Sequence, residues 1–378
     1  MVRISASLTT PRTAIAAAAI VIGTIGASLS TSPAADQATN DQIINAAGKT
    51  NDKSFCGTKP IVLGIHDGFG INGWSKSSMA AVRSEAAKCP NVKQIVRIGQ
   101  GDLQKSIADV NGMVAQGINA LVIIPDFGKS QLPSLRNATQ AGVQVVAWAA
   151  DPGGTAGKDY VAYVDDDVTA AGRTRGAWMA KAVHEKGNIV YLGGPPGNPV
   201  SVQTLAGAAE VLAKYPNIHL LTGNKDWPIT NWDAAVTQKA VTALLAKYPE
   251  IDGIIDDQDG FSGLGVLRAY QSANRPMVPF TLLEGNQLAC DYAKMKGSDA
   301  KFELGTMTAR TWLGRIAARK AIAAAEGLPN NEPDIYRLPI YEDTLAGKVP
   351  TCDTKQPPDA YISAQFTPED LETYGKTE

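Results

Sequence analysis

Two stretches of this chain repeat one another. Glu85-Ala86-Ala87-Lys88-Cys89-Pro90-Asn91-Val92 returns as Glu210-Val211-Leu212-Ala213-Lys214-Tyr215-Pro216-Asn217-Ile218: a helix end, a Pro-Asn turn and the start of a strand. Each copy leads through a helix to an apolar strand that ends in acid, Leu121-Val122-Ile123-Ile124-Pro125-Asp126 in the first and Gly253-Ile254-Ile255-Asp256-Asp257 in the second. Around them, short apolar runs at 61–65, 92–98, 120–124, 143–148, 188–192, 218–222, 253–255 and 278–283 alternate with helical stretches such as 76–88, 103–116, 129–141, 168–185, 200–214, 232–247 and 260–272. Strands that are apolar almost throughout belong to parallel sheets covered on both faces. Strict β/α alternation predicts a doubly wound α/β architecture. A single eight-stranded sheet needs no internal echo, so the echo predicts two lobes of like topology. Ligands of such sheets bind outside the carboxyl ends of the strands, which places a site in the cleft between the lobes.

The first residues read as a signal peptide over 1–34. Arg3 and Arg12 precede an uncharged, Ala/Ile/Val-rich run, and Ser32-Pro33-Ala34 offers a cleavage site. No Cys follows that run to carry a lipid, so release into the periplasm is expected. Residues 35–54 are small and polar and read as a flexible leader. The remainder is long enough for two domains. The 35 basic and 37 acidic residues nearly balance, which argues against nucleic acid or a membrane surface as partner.

The 4 Cys and 3 His residues are scattered without a CxxC pair, so no metal site is expected. An even Cys count in an exported chain predicts disulfides. Cys56 precedes the first strand and Cys89 ends the first helix, on one edge of a βαβ unit. The expected pairs are therefore Cys56–Cys89 and, by elimination, Cys290–Cys352.

Gly68-Phe69-Gly70-Ile71-Asn72-Gly73 matches the GxGxxG dinucleotide fingerprint after a strand. However, the second strand ends Arg97-Ile98-Gly99 without the acid that holds a ribose, and the helix start is expected after Trp74. No cofactor is expected. No phosphate loop, HExxH or GxSxG is present, so no catalytic residue is assigned. Asp165-Asp166-Asp167 reads as a helix cap rather than a metal site.

The order of motifs resembles periplasmic sugar-binding proteins of the ribose-binding type, the substrate-binding components of ABC sugar transporters. The resemblance rests on Gly117-Ile118-Asn119-Ala120-Leu121-Val122-Ile123-Ile124-Pro125, Ala141-Gly142-Val143-Gln144-Val145-Val146, the 164–172 segment, Tyr248-Pro249-Glu250-Ile251-Asp252-Gly253, Gln258-Asp259-Gly260 and Thr311-Trp312-Leu313-Gly314. It implies the type I periplasmic binding protein fold, two lobes joined by a three-strand hinge near 164–166, 305–307 and 328–329. The N-terminal lobe is then 55–165 plus 306–328, and the C-terminal lobe 166–305 plus 329–378.

The resemblance further implies a monomer that binds a small neutral carbohydrate or polyol and delivers it to a membrane permease. By position, the ligand set is Phe69, Asn72, Trp74 and Asp151 from the first lobe, Trp232, Gln258, Asp259, Glu284 and Asn286 from the second, and Thr308 at a hinge. These residue types suit a sugar, whose C–H faces pack on aromatic rings and whose hydroxyls bond carboxylates and amides. Trp148, Trp178 and Trp312 are expected in the core or its flanks, and Trp227 is left open. The Arg residues common in such relatives after Asp151 and in the 197–203 loop are missing here, which argues against ribose and against an acidic or phosphorylated ligand. The competing readings are an exported dehydrogenase-type enzyme built on the 68–73 loop, and a sensory receptor for a sugar-like signal.

Overall fold

A computed structural model describes residues 40–48, 51–70, 72–297 and 302–376; the expected signal peptide lies outside them. The first described element is a helix, α1 (Asn40–Ala47). It falls in the stretch read as a flexible leader, and that reading is corrected. Ile44 is buried in the core of the first lobe, and Asn40 Nδ2 donates to the carbonyls of Pro339 and Ile340 at 3.0 and 3.1 Å. Buried apolar side chains, Ile44 and Ala47, and tertiary hydrogen bonds, which also include Arg319 donating to the Ala47 and Gly48 carbonyls, outweigh the polar composition.

The first sheet is assembled from β1 (Ile61–Asp67), β2 (Val92–Ile98), β3 (Ala120–Ile124), β4 (Gln144–Trp148) and β5 (Ala162–Asp166), with α2 (Gly73–Ala86), α3 (Leu103–Ala115) and α4 (Leu132–Gln140) between strands. The second repeats the plan with β6 (Lys186–Leu192), β7 (Asn217–Leu220), β8 (Gly253–Asp256), β9 (Phe280–Leu283) and β10 (Leu304–Met307), interleaved with α5 (Val168–Ala182), α6 (Pro199–Leu212), α7 (Ala234–Lys247), α8 (Leu264–Ser272) and α9 (Asn286–Met295). Helix α10 (Leu313–Glu326), strands β11 (Ile335–Tyr336) and β12 (Glu342–Asp343), and α11 (Pro368–Tyr374) complete the chain.

The strand orders are β11-β5-β4-β3-β1-β2 and β12-β10-β9-β8-β6-β7. Each is a six-stranded sheet with the same winding, and among the described strands only the β10–β12 pair is antiparallel. The two lobes expected from the echo are thus present, and the repeated Pro-Asn turns enter β2 and β7, the same position in each sheet. Every residue of β3 and of β8 is buried, as strands covered on both faces require. Side-chain caps fix where the helices begin: Asn72, Asp102, Asp167, Asn198 and Asp233 each accept from a backbone N–H in the first turn.

The disulfides are Cys56–Cys89 and Cys290–Cys352, as expected, with Cα separations of 5.1 and 4.6 Å. Trp148, Trp178 and Trp312 are buried, also as expected.

The third crossing and the tail depart from the sequence reading. Residues after α10 stay with the first lobe, where Lys320 pairs with Asp334 at 2.8 Å and Arg319 with Glu332 at 2.5 Å. Strand β11 then extends the first sheet in parallel with β5. The third crossing falls between β11 and β12, not at 328–329. The tail crosses again. Cys352 ties it to the second lobe, and α11 packs on α2 of the first, in a cluster with Ala80, Ala81, Tyr361, Phe366 and Leu371. Assigning 329–378 wholly to the C-terminal lobe is therefore corrected. The 305–307 segment is β10 itself, and the crossing follows it at 308–312.

Candidate functional site

The switch points of the two sheets fall between β1 and β3 and between β6 and β8, where the winding reverses. Loops leaving these strands face one another across a small cleft of about 50 Å³. From the first lobe come Asp67, Phe69, Asn72, Trp74 and Asp126; from the second, Val200, Trp232, Asp257, Gln258 and Asp259; Arg310 enters from a crossing.

Aromatic walls meet across the lobes. Phe69 contacts Trp232 edge to face, with ring centroids 5.5 Å apart at 76°. Trp74 stacks on Trp148 at 5.9 Å and donates its indole N–H to the Ala309 carbonyl at 2.7 Å. Trp232 does not open α7, as the sequence implied. It precedes the Asp233 cap with φ +53° in the left-handed region. Arg310 and Ala149 are held likewise at +53° and +62°. Such conformations cost about 1–3 kcal/mol each and collect where geometry matters for function. The Trp232 ring is fixed by its own N–H, which donates to Asp257 Oδ1 at 2.9 Å, while Tyr191 O–H donates to Oδ2 of the same carboxylate at 2.9 Å.

The polar lining divides into spoken-for and open groups. Gln258 donates its amide to Asp256 and accepts from Thr237 O–H at 3.1 Å. Asp259 accepts from Ser262 Oγ at 2.6 Å and from the backbone of Phe261 at 2.9 Å. Asp67 Oδ1 accepts from Phe69 N at 2.8 Å; among the described residues Oδ2 of Asp67 and Oδ2 of Asp126 are buried without a close hydrogen-bond partner, with Ser75 and Gly70 beside the first carboxyl and Asn198 beside the second. Arg310 donates to Asp165, to Asp166 at 3.1 Å and to the Ala149 carbonyl at 3.2 Å, so its charge is matched within the hinge.

Of the ten residues expected by position, six line the cleft: Phe69, Asn72, Trp74, Trp232, Gln258 and Asp259. The other four are placed elsewhere. Glu284 accepts from Ala309 N at 3.0 Å and from Ser363 of the tail. Asn286 donates to the carbonyls of Asp353, Gln356 and Pro357 and accepts from Asp353 N at 2.9 Å. The tail has taken both side chains. Asp151 closes its own turn through Gly153 N at 2.7 Å and reaches Gln203 of the second lobe at 3.4 Å. Thr308 is buried beside the crossing.

The sequence reading missed Asp67, Asp126, Asp257 and Arg310. Asp126 and Asp257 follow β3 and β8, at the strand ends where the echo already pointed, and Asp67 ends β1. The basic residue absent from the expected loops is supplied instead by a crossing. The Asp165–Asp167 run divides: Asp167 caps α5, accepting from Ala170 N at 2.9 Å, while its two neighbours pair with Arg310. In the 68–73 loop, α2 starts at Gly73, earlier than expected, and Asn72 Oδ1 accepts from Ser75 N at 2.9 Å.

Burial raises the carboxyls of this region. Desolvation is the first cause for Asp67, Asp257 and Asp259, and for Asp126, which stands well above the usual range with Asp67 adding to it. Burial, then Glu342, pushes Glu284 to about 7; burial also pushes Asp165 to about 7 against the pull of Arg310. The folded chain thus holds protons that the unfolded chain has released between about pH 4 and 7, and stability falls as pH rises through that window. Burial lowers His66 to about 4, so between about pH 4 and 6.5 the unfolded chain holds that proton and His66 contributes the opposite slope. Several raised carboxyls oppose one imidazole. The unliganded protein should therefore melt several degrees lower at about pH 7.5 than at about pH 5.5, and a midpoint that climbs across this range would refute the assignment.

Among the described residues, no helix is long and apolar enough to cross a membrane. The chain is 28% identical over 300 residues to the xylitol-binding protein of Mycolicibacterium smegmatis, covering 79% of this chain and 80% of that one. Its fold matches the arabinose ABC transporter binding component of Shewanella sp. ANA-3, with a TM-score of 0.63 at 20% identity over 73% of this chain and 89% of the other. It also matches an Agrobacterium vitis ABC transporter solute-binding protein with bound allitol, with a TM-score of 0.63 at 17% identity over 74% and 93%. Residues 67–329 match the family model described as the periplasmic binding protein domain, and the chain belongs to that family.

Proposed function

We propose that this chain is the substrate-binding component of an ABC transporter, capturing a small neutral sugar or polyol in the inter-lobe cleft outside the cytoplasm and delivering it to the membrane permease. One observation carries the reading: strand-end loops from both switch points bring an aromatic pair and two carboxyl oxygens without a close partner among the described residues to one cleft. Ring faces suit the C–H faces of a polyhydroxy compound, and the open oxygens suit its O–H donors. The relatives named above, for xylitol, arabinofuranose and allitol, support the same ligand class. A thermal-shift and calorimetric panel of xylitol, allitol, L-arabinose, D-xylose and myo-inositol tests it, since a ligand that binds the folded state raises its melting point. No response from any member would overturn the reading.

The site assignment has its own test. Trp232→Ala removes one aromatic wall and should weaken binding by about 1–3 kcal/mol, on the scale for burying a large apolar side chain, roughly ten- to a hundredfold. Affinity that holds while the unliganded melting point collapses would make Trp232 a structural residue.

A further inference from the structure

The chain after β12 is bonded to both lobes. Its first half rides on the second lobe. Cys352 is bridged to Cys290 of α9, the backbone N–H groups of Asn286 and Gln287 donate to the carbonyls of Ala360 and Pro358 at 3.0 Å each, and Ser363 N donates to Glu284 at 3.1 Å. Its second half rides on the first lobe. Arg315 of α10 donates to the Ala364 carbonyl at 2.8 Å and lies over the Phe366 ring. Leu371 of α11 packs with Ala80 and Ala81 of α2, and Arg83 donates to the carbonyls of Tyr374 and Lys376 at 3.1 and 2.6 Å. The tail therefore changes lobe between Ser363 and Ala364, beside Gln365, which is held in the left-handed region at φ +54°. The steps from Ser363 to Thr367 reach at most about 14 Å when fully extended, so there is little slack between the two holds.

One contact of the tail joins the lobes at the rim of the cleft. Asp359 belongs to the half that rides on the second lobe, and it faces the first turn of α2. Gly73 makes room for it: a β-carbon there would stand 2.8 Å from Asp359 Cβ. Lys76 Nζ lies 3.9 Å from Asp359 Oδ2. The unbonded N–H groups of a helix's first turn also favour a carboxylate beside them. Asn72 caps this same turn and Trp74 belongs to it, and both line the cleft.

We infer that the C-terminal tail is a strap with a charged latch: Asp359, seated on Gly73 and Lys76, holds the ligand-facing turn of the first lobe against the second, restrains the empty protein from opening fully and slows the escape of bound ligand. The inference rests on the proposed function for its ligand and adds control of release. A contact made only while the lobes are closed stabilises the closed form alone. It acts on the rate of leaving rather than the rate of arrival, which is where most differences in affinity between variants of one site arise. Lys76 and Asp359 are both partly exposed, so their pair contributes modestly, and the helix terminus adds to it.

Small-angle scattering of the full mature chain, empty and ligand-saturated, tests the strap together with stopped-flow release of whichever of xylitol, allitol and L-arabinose binds most tightly. Asp359→Lys sets two ammonium groups together at the start of α2 and leaves α11 seated. Empty, it should have a larger radius of gyration than empty wild type; saturated, the two should match. Its ligand should leave at least fivefold faster, with the association rate within twofold. The charge swap K76E/D359K re-forms the pair in reverse and should slow release again by at least twofold. If Asp359→Lys is no wider than wild type when empty, or releases ligand within twofold of wild type, or if the swap recovers less than twofold, the inference fails and the proposed function stands. An excess radius that persists with ligand bound reports a loosened tail and overturns the inference as well. If no probe binds, the proposed function fails, and the radius of the empty protein alone decides the strap. Should Asp359→Lys not fold, Gly73→Ala, which suits a helix and crowds Asp359 from the other side, takes its place in each comparison with wild type.

Discussion

Replacing Arg310 with Met should cost about 3–5 kcal/mol of folding stability, the range for stripping one partner from a buried ion pair. Arg310 sits on the crossing between β10 and α10, and Asp165 and Asp166 end β5 at the first crossing. Ile335 and Tyr336 of β11 pair with those same two aspartates before the third. One guanidinium therefore holds the point where all three hinge strands meet. Its removal leaves two carboxylates together in a site from which water is largely excluded. Asp165 keeps its bond from Tyr163 O–H at 2.6 Å, which does not neutralise it. Asp165 already titrates near 7 with Arg310 present. Without the cation, it should hold its proton more tightly, so the loss should shrink toward about pH 5. Denaturant unfolding at two pH values with an unchanged m-value measures this. A loss below about 1 kcal/mol at neutral pH would mean that the hinge charges are solvated.

The second large effect is expected from the Cys290–Cys352 bridge. Its cysteines are 62 residues apart, and constraining the unfolded chain over a loop of that length stabilises by about 4 kcal/mol in the chain-entropy model. The double substitution C290S/C352S should lose most of that. It should also loosen the tail, because Cys352 directly precedes the residues that Asn286 grips. Comparing denaturation midpoints of wild type and variant, with limited proteolysis in the 353–360 stretch, reads both consequences. A variant that unfolds within about 1 kcal/mol of wild type would show that the tail is held by Asn286, Glu284 and the α11–α2 contact without the bridge.

The fold was legible because its main determinants are local. Apolar strands of the right length and Pro-Asn turns repeated at matching places each carry their structure in a short window of sequence. The disulfide pairs followed from the same windows, since a βαβ unit places Cys56 and Cys89 on one edge. The last sheet strands were harder to see. Strands β11 and β12 are two residues each, too short to show a period, and they exist only because an open sheet edge receives them. Tertiary contact likewise decided α1, where Asn40 finds partners some three hundred residues away and Ile44 joins the core.

The site was half legible for a related reason. Aromatic residues at strand ends announce themselves, and Phe69, Trp74 and Trp232 stand in the cleft. Glu284 and Asn286 are also strand-end residues of the right chemistry, but a tail with no counterpart in the positional reasoning claims their side chains. Conversely, Asp67 and Asp126 look like ordinary acids at the ends of strands. What distinguishes them is that no described residue closely bonds their buried Oδ2 atoms, a fact about neighbours that the sequence does not carry.

The lobes touch each other as well as any ligand. Asn198 at the start of α6 donates to the Asp126 carbonyl at 2.9 Å, Gln203 reaches Asp151, and Phe69 meets Trp232. Admission and escape of a ligand both require these contacts to part, so they set a gate through which forward and reverse traffic must pass. The height of that gate governs how fast the permease can be supplied, and it is a separate property from how tightly the cleft holds what it has caught. A chain of this kind can be tuned for turnover at Asn198 and Gln203 without touching the aromatic walls of the cleft.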